Sequence, residues 1–129
     1  MESKNTTSTG NLGESIACKF LVDRGFEICD RNYRKKYGEI DVVAQKRGRL
    51  CFVEVKSVLQ SIDGSRGYRP EENVHRQKLR RLSRAIETYL LEKDRLLEKW
   101  DFWVLVVFID KEEKTVEIRC IKDVVPARN

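Results

Sequence analysis

The sequence predicts an α/β domain of three layers, α/β/α, in which helices cover both faces of a central mixed β-sheet. Residues 102–109, FWVLVVFI, form a continuous apolar run, which is typical of a central strand buried on both faces. Residues 11–24 and 74–93 instead repeat apolar side chains at the 3.6-residue spacing of helices. In the predicted order α, β, β, β, α, β, β, the second helix can cross over between two parallel strands.

Length and composition indicate a single domain. A chain of 129 residues has a common domain size, and its Ser- and Thr-rich residues 1–10 predict a flexible tail ahead of a domain at 11–129. The formal charge of +5 mildly favours polyanionic partners such as nucleic acid. No apolar run approaches the roughly 20 residues that cross a bilayer, and the start lacks a secretion signal. We therefore expect a cytoplasmic protein that does not contact membranes.

The N-terminal half predicts one helix and three strands. The first helix is expected from Asn11 to Arg24, because Gly25 is a stop signal. Apolar and polar residues alternate from residue 26 to residue 33, which predicts a strand. Residues 38–57, GEIDVVAQKRGRLCFVEVKS, then predict a β-hairpin.

The C-terminal half predicts a loop, a long helix and a second pair of strands. Residues 59–70 hold two glycines, a proline and two arginines, which are signals of a loop. The long helix at 74–93 leads into the apolar strand at 102–109, and a last strand is expected at 115–121.

A two-residue turn at Arg47 and Gly48 is the simplest connection for the hairpin. It makes one side of the hairpin wholly apolar, through the pairs Ala44–Cys51, Val42–Val53 and Ile40–Val55. A shift of one residue would mix the two faces, so the pattern supports this register. The other side then ends in two charged pairs, Asp41–Glu54 and Glu39–Lys56.

The pair Asp41–Glu54 is the strongest chemical signal in the chain. Opposed Cβ atoms lie about 5 Å apart, where two ionised carboxylates repel by roughly 3 kcal/mol at an effective dielectric constant of about 20. A Mg²⁺ ion removes this repulsion, because it takes carboxylate ligands and keeps positions for water and phosphate. Lys56 would add an ammonium group beside it. This combination suits hydrolysis of a phosphodiester.

Two structural alternatives stay open at this point. Glu39 and Lys56 can form an ordinary ion pair at a solvated edge, with Asp41 and Glu54 as exposed acids beside it. In the first helix, Asn11-Leu12-Gly13-Glu14 also fits a capping box, in which Glu14 closes the helix start.

The segments GEIDVVA and FVEVKS resemble the motif of the PD-(D/E)XK, or restriction-endonuclease-like, nuclease superfamily. More closely, NLGESIA, RNYR before GEID, and FVEVK followed by a basic helix resemble the bacterial YraN-like family, which is related to archaeal Holliday junction resolvases. The resemblance covers about residues 11–110. One departure is Ser57-Val58, where the family commonly has Thr-Arg.

This resemblance implies a restriction-endonuclease-like fold and a specific set of site residues. The implied catalytic residues are Glu14, Asp41, Glu54 and Lys56. Of these, Asp41, Glu54 and Glu14 are the implied ligands of Mg²⁺ or Mn²⁺, and Lys56 positions the attacking water.

A basic stripe on the long helix is the candidate nucleic-acid contact. It comprises Arg76, Arg80, Arg81 and Arg84, and the preceding loop adds Arg66 and Arg69. Arginines at this spacing suit sequence-independent contact with phosphates, although most charged stripes are only solvated surface.

Together these features lead us to expect a metal-dependent endonuclease that hydrolyses DNA, including branched or irregular DNA. A junction offers two symmetric cuts, so a resolvase would act as a homodimer. An alternative is a nucleic-acid-binding module that keeps the nuclease fold with little or no catalysis. A third is an assembly factor that uses the same face for protein contacts.

Overall fold

The computed structural model describes residues 4–59 and 76–122, and the side chains of residues 10–59 and 80–122. The elements are α1 (Lys4–Asp23), β1 (Glu27–Lys35), β2 (Gly38–Lys46), β3 (Arg49–Leu59), α2 (Arg76–Glu92), β4 (Trp100–Asp110) and β5 (Thr115–Ile121). The predicted order of helices and strands is confirmed. No helix in the described ranges is long and apolar enough to cross a membrane.

The five strands form one mixed sheet in the order β1-β2-β3-β4-β5. Neighbouring strands are antiparallel except β3 and β4, which run parallel from the pair Leu50–Trp100 to the pair Leu59–Ile109. Helix α2 lies between β3 and β4 along the chain. The predicted crossover is therefore confirmed.

Each helix covers one face of the sheet. On the α1 face, Ala17 and Leu21 pack with Val42, Val53 and residues of β4. On the α2 face, the apolar side of α2 packs with a second set of buried strand residues, among them Ile40, Val43, Phe52, Val104 and Val106. This is the predicted three-layer α/β/α architecture, and it is consistent with a restriction-endonuclease-like fold.

Helix α1 begins at Lys4, seven residues before the expected start at Asn11. Residues 4–10, which were expected to belong to a flexible tail, are thus helical in backbone. The extension supplies carbonyl partners for N–H groups that would be unpaired in a helix starting at Asn11. It also excludes the capping-box interpretation of Glu14, because Asn11 lies inside the helix.

The turn of the β2–β3 hairpin is the one that the sequence predicts. Arg47 and Gly48 both have positive φ, 53° and 78°, as a two-residue hairpin turn of type I′ requires. The predicted register is confirmed in its first part, from Lys46–Arg49 through Ala44–Cys51 to Val42–Val53.

Beyond Val42–Val53 the predicted pairing is wrong, because the β2–β3 ladder ends there. Ile40 packs on the α2 face, whereas Val42 packs on the α1 face, so the alternation of side chains breaks at Asp41. Along this stretch β2 continues to pair with β1, through Arg31–Val42 and Tyr33–Ile40.

The break in alternation coincides with an irregularity in β1. Asn32 lies between the pairs Arg31–Val42 and Tyr33–Ile40, opposite Asp41, and its φ of 53° is left-handed. A left-handed residue departs from the extended geometry of a strand, and Asn is one of the few residue types that adopt this conformation readily. The irregularity of β1 thus accompanies the departure of β2 from β3.

Candidate active site

The Asp41 carboxylate takes the place of a ladder contact where β2 leaves β3. Its Oδ2 accepts a hydrogen bond from the backbone N–H of Val55, at 2.7 Å. In a continued ladder that N–H would pair with a carbonyl of β2, so the side chain satisfies a donor that the strand separation would otherwise leave free. The contact holds the Asp41 carboxylate against β3 at Val55, the residue that follows Glu54.

Asp41 and Glu54 are both buried, with 8 % of each residue exposed. Desolvation and, after it, the charge of Glu54 raise the pKa of Asp41 to about 7, although the hydrogen bond from Val55 acts in the opposite direction. The alternative of two exposed acids at a solvated edge is therefore wrong. The structure thus places two acids together in a buried setting.

Lys56 belongs to the same group. Its Nζ lies 3.2 Å from Oε2 of Glu54, and the two side chains are 22 % and 10 % exposed. Because β3 is regular along its whole pairing with β4, residues two apart on it point to the same face. Glu39, the expected partner of Lys56, instead pairs with its β1 neighbour Arg34 at 3.1 Å.

Glu14 approaches the acids from helix α1. Its charge also raises the pKa of Asp41. Oε1 of Glu14 is buried without a hydrogen-bond partner, and Arg31 of β1 lies 3.7 Å away from it. A buried carboxylate oxygen in this condition is one that a cation or a water would satisfy.

The position of Glu14 depends on a close contact between α1 and β3. A Cβ added to Gly13 would overlap Oγ of Ser57 and lie 3.0 Å from Cβ of Ser57. Both residues must therefore be small for the helix to approach this closely. Sequence reasoning missed this contact, although a glycine inside an amphipathic helix is a signal for it.

The donor set fits a hard divalent cation through two carboxylates and a third nearby. Among residues 4–59 and 76–122, no group of three or more Asp, Glu, His and Cys side chains is arranged to hold a metal ion. The structure thus brings Asp41, Glu54 and Lys56 together and leaves Glu14 beside Arg31. Magnesium needs only one or two protein carboxylates, since it keeps several waters and takes substrate phosphate.

The predicted basic stripe is only partly covered by the structure. Arg80, Arg81 and Arg84 are exposed on α2. The side chain of Arg76 is not described, although its backbone begins α2, and Arg66 and Arg69 lie outside the described ranges.

A basic groove of about 660 Å³ lies between the β1–β2 turn and α2. Its basic side chains are Arg34, Lys35, Lys36, Arg81 and Arg84, and Tyr37, Gly38 and Glu39 complete it. We call this surface the turn–helix groove. The sequence analysis missed the three basic residues that β1 and the turn contribute, although the run RKK directly before YGEID was a signal.

Comparison with known proteins gives relatives from several bacteria. The UPF0102 protein of Persephonella marina is 38 % identical over 86 residues, which cover 66 % of this chain and 70 % of that protein. The UPF0102 protein of Thermotoga neapolitana is 41 % identical over 80 residues, or 62 % and 69 % of the two chains. That of Campylobacter jejuni strain 81-176 is 43 % identical over 83 residues, or 64 % and 69 %.

Residues 13–110 match the family described as "Uncharacterised protein family UPF0102". The matched range contains Glu14, Asp41, Glu54 and Lys56, and it spans all of β1 to β4. The chain therefore belongs to the UPF0102 family, the YraN-like proteins of the PD-(D/E)XK nuclease-like superfamily.

Proposed function

We propose that this protein is a metal-dependent endonuclease that hydrolyses phosphodiester bonds of DNA. The observation that carries the proposal is the buried pair Asp41 and Glu54, with Lys56 held 3.2 Å from Glu54. Family membership supports a nuclease-like fold, but a fold alone does not assign an activity. The chemistry of these three side chains supports hydrolysis.

Asp41 and Glu54 would hold Mg²⁺ or Mn²⁺, and Glu14 would assist from α1. When bound, the divalent cation supplies a Lewis acid that neutralises phosphate charge and makes a nearby water more acidic. The hydrogen bond from Val55 orients the Asp41 carboxylate, as outer partners of metal ligands generally do. Asp41 must lose its proton to act as a ligand, so protons and metal compete for this site.

Lys56 would position the attacking water and stabilise developing negative charge on the phosphate. Its ammonium is fixed by Glu54 and is 22 % exposed, so it is partly withdrawn from solvent while one side stays accessible. A charge in such a position acts more strongly than one in bulk water and needs little reorganisation during the reaction.

We extend the proposal to branched or irregular DNA on the resemblance to archaeal Holliday junction resolvases. Two symmetric cuts need two active sites, so this extension includes a homodimer. The matching test is a comparison of branched, nicked, single-stranded and duplex DNA of shared sequence, together with the molar mass of the protein in solution.

The main experiment measures DNA cleavage in Mg²⁺ or Mn²⁺ by the wild type and by Asp41→Asn and Lys56→Gln. Glu112→Gln, which changes an exposed acid in the β4–β5 turn, is the matched control. We expect the two site variants to lose activity by about 100-fold or more and the control to keep it. Cleavage that persists undiminished in both site variants would come from a contaminant and would remove the support for catalysis.

A nucleic-acid-binding module is the second candidate, and the turn–helix groove favours it. Five basic side chains line that groove, against one acid. If neither the wild type nor the variants cut DNA, but all bind it with strong dependence on salt, this second function replaces the first.

A further inference from the structure

The turn–helix groove combines unpaired positive charge with an exposed aromatic ring. Within the described part of the chain, Lys36, Arg81 and Arg84 form no ion pair, whereas Arg34 and Lys35 pair with Glu39 and Glu92. The free cations come from two separate elements, the β1–β2 turn and α2. They therefore converge on one space without being neutralised.

Tyr37 differs from the tyrosines that serve in packing. The hydroxyl of Tyr33 donates to Glu92 at 2.6 Å and that of Tyr89 donates to Asp30 at 2.8 Å, and the two rings contact each other. Tyr37 is 50 % exposed and makes no hydrogen bond or ring contact with any described residue. A half-exposed ring without a packing partner is available for stacking.

Strand β2 and helix α2 are in direct contact at the groove. A Cβ added to Gly38 would lie 3.0 Å from the carbonyl oxygen of Arg81 and 3.2 Å from its Cβ. The backbone of β2 therefore touches α2 at the base of the groove, and the position of Arg81 relative to the turn is set by this contact.

The size and chemistry of the groove favour an unpaired strand over a duplex. A volume of about 660 Å³ is that of a small-molecule site, which accommodates a short stretch of single strand. Exposed aromatic rings stack on bases that are already unstacked, and flanking cations follow the phosphates. In duplex DNA the faces of the bases are not accessible to Tyr37.

We propose that the turn–helix groove binds an unpaired nucleic-acid strand, with phosphates against Lys36, Arg81 and Arg84 and one base stacked on Tyr37. The identity of the strand as DNA rests on the proposed function. Gly38 of the groove and Asp41 of the candidate active site lie three residues apart on β2, or about 10 Å. A strand bound there is thus directed toward the acids, which deepens the proposed function by giving the substrate an unpaired segment.

The test measures binding of fluorescein-labelled oligo(dT) to the full chain by anisotropy in EDTA, where metal-dependent cleavage cannot occur. The charge variant is Arg81→Gln with Arg84→Gln. Its control, Lys99→Gln with Lys111→Gln, removes the same charge from exposed positions outside the groove. We expect the groove double variant to bind more weakly and the control double variant to bind like the wild type. In the groove variant the slope of log binding constant against log salt concentration should become shallower by about 1.4, the value for two lost phosphate contacts.

Stacking is tested separately with Tyr37. Tyr37→Ala should weaken binding by at least about fivefold, whereas Tyr37→Phe should keep the wild-type affinity. Thermal unfolding of each variant checks that the fold is kept, which we expect because Tyr37 makes no hydrogen bond or ring contact with any described residue. Duplex DNA of the same length should bind more weakly than oligo(dT), and oligo(rU) tests whether the groove distinguishes DNA from RNA.

Three results would overturn the proposal: equal losses in the two double variants, unchanged affinity of Tyr37→Ala, or tighter binding of duplex than of oligo(dT). Preference for oligo(rU) would reassign the strand from DNA to RNA and overturn that part of it. These outcomes are independent of catalysis. Loss of binding in the groove variants, combined with no cleavage by the wild type, would support the groove proposal and reject the endonuclease. Cleavage by the wild type, combined with unchanged binding in the groove variants, would support the endonuclease and reject the groove proposal.

Discussion

Asp41 and Val55 are joined by a hydrogen bond at the point where two neighbouring strands separate, and this contact sets the geometry of the candidate active site. The carboxylate of Asp41 accepts the Val55 N–H at 2.7 Å, which lies beyond the last regular pair of the β2–β3 ladder. Separation of the strands and placement of the acid are therefore a single structural feature. It brings Asp41 to Glu54 without requiring the two residues to be direct cross-strand partners.

The raised pKa of Asp41 predicts how the stability of the metal-free protein depends on pH. The folded-state pKa is about 7, above the ordinary value of 3.8. Between these values the folded state holds a proton that the unfolded chain has lost. The contribution of Asp41 is thus fully present below about pH 4 and is lost as pH rises to about 7, with a slope on the order of 1 kcal/mol per pH unit.

This prediction is checked by urea unfolding of the wild type and Asp41→Asn between pH 4 and pH 8 in EDTA. Asparagine keeps an oxygen for the Val55 N–H but does not titrate. The unfolding free energy of the wild type minus that of Asp41→Asn should therefore fall as pH rises. A difference that is constant with pH would show that Asp41 is ionised in the folded state throughout this range.

Divalent metal should stabilise the folded protein through the same acids. A ligand at 100 times its dissociation constant adds about 2.7 kcal/mol to the unfolding free energy, so saturating Mn²⁺ should raise the Tm of the wild type by several degrees. Asp41→Asn and Glu54→Gln should lose this response. Glu112→Gln should keep it, because it removes an acid of the β4–β5 turn. An equal rise in Tm in all four proteins would indicate metal binding elsewhere.

The sequence was sufficient for the fold and for the identity of the paired acids, but not for their geometry. Periodicity and turn chemistry predicted every strand, because the signals for Arg47-Gly48 and for the apolar run of β4 are local. The register failed at Asp41 because the alternation rule assumes a regular strand on both sides. The irregularity coincides with Asn32 on β1, a residue whose left-handed conformation the sequence alone does not reveal.

The role of Glu14 shows the same limit at longer range. Its placement depends on Gly13 meeting Ser57 across 44 positions of the chain, and no periodicity encodes a contact between a helix and a strand of this kind. The basic groove was missed for a similar reason. Arg34 and Arg81 lie far apart in the sequence, and only the packing of α2 on β2 brings them to one surface.

The left-handed conformation of Asn32 should make this position sensitive to the shape of the substituted side chain. Its φ is 53° and its side chain is exposed, so packing contributes little. Asn32→Gly should change the unfolding free energy by only a few tenths of a kcal/mol, whereas Asn32→Val should lower it by about 1–2 kcal/mol or more. Urea unfolding checks this, and equal stability of the two variants would contradict a left-handed residue here.

Two glycines of helix α1 provide a matched test of how closely the helix approaches β3. A Cβ at Gly10 would meet no atom within 4 Å, so Gly10→Ala should stabilise the helix by about 0.5–1 kcal/mol. At Gly13 the same methyl group would overlap Ser57, and an overpacking cost of about 1–3 kcal/mol should outweigh the helix gain.

Ser57→Gly removes the atoms that the Gly13→Ala methyl group would meet, so it should partly restore stability in the double variant even though it weakens the strand when introduced alone. A double-mutant cycle of unfolding free energies measures this coupling, which is expected on the order of 1 kcal/mol. Since Gly13 precedes Glu14, Gly13→Ala should also reduce the rise in Tm caused by Mn²⁺. Full additivity of the two substitutions would mean that α1 and β3 do not touch at this point, and Glu14 would then lack the contact that directs it toward Asp41.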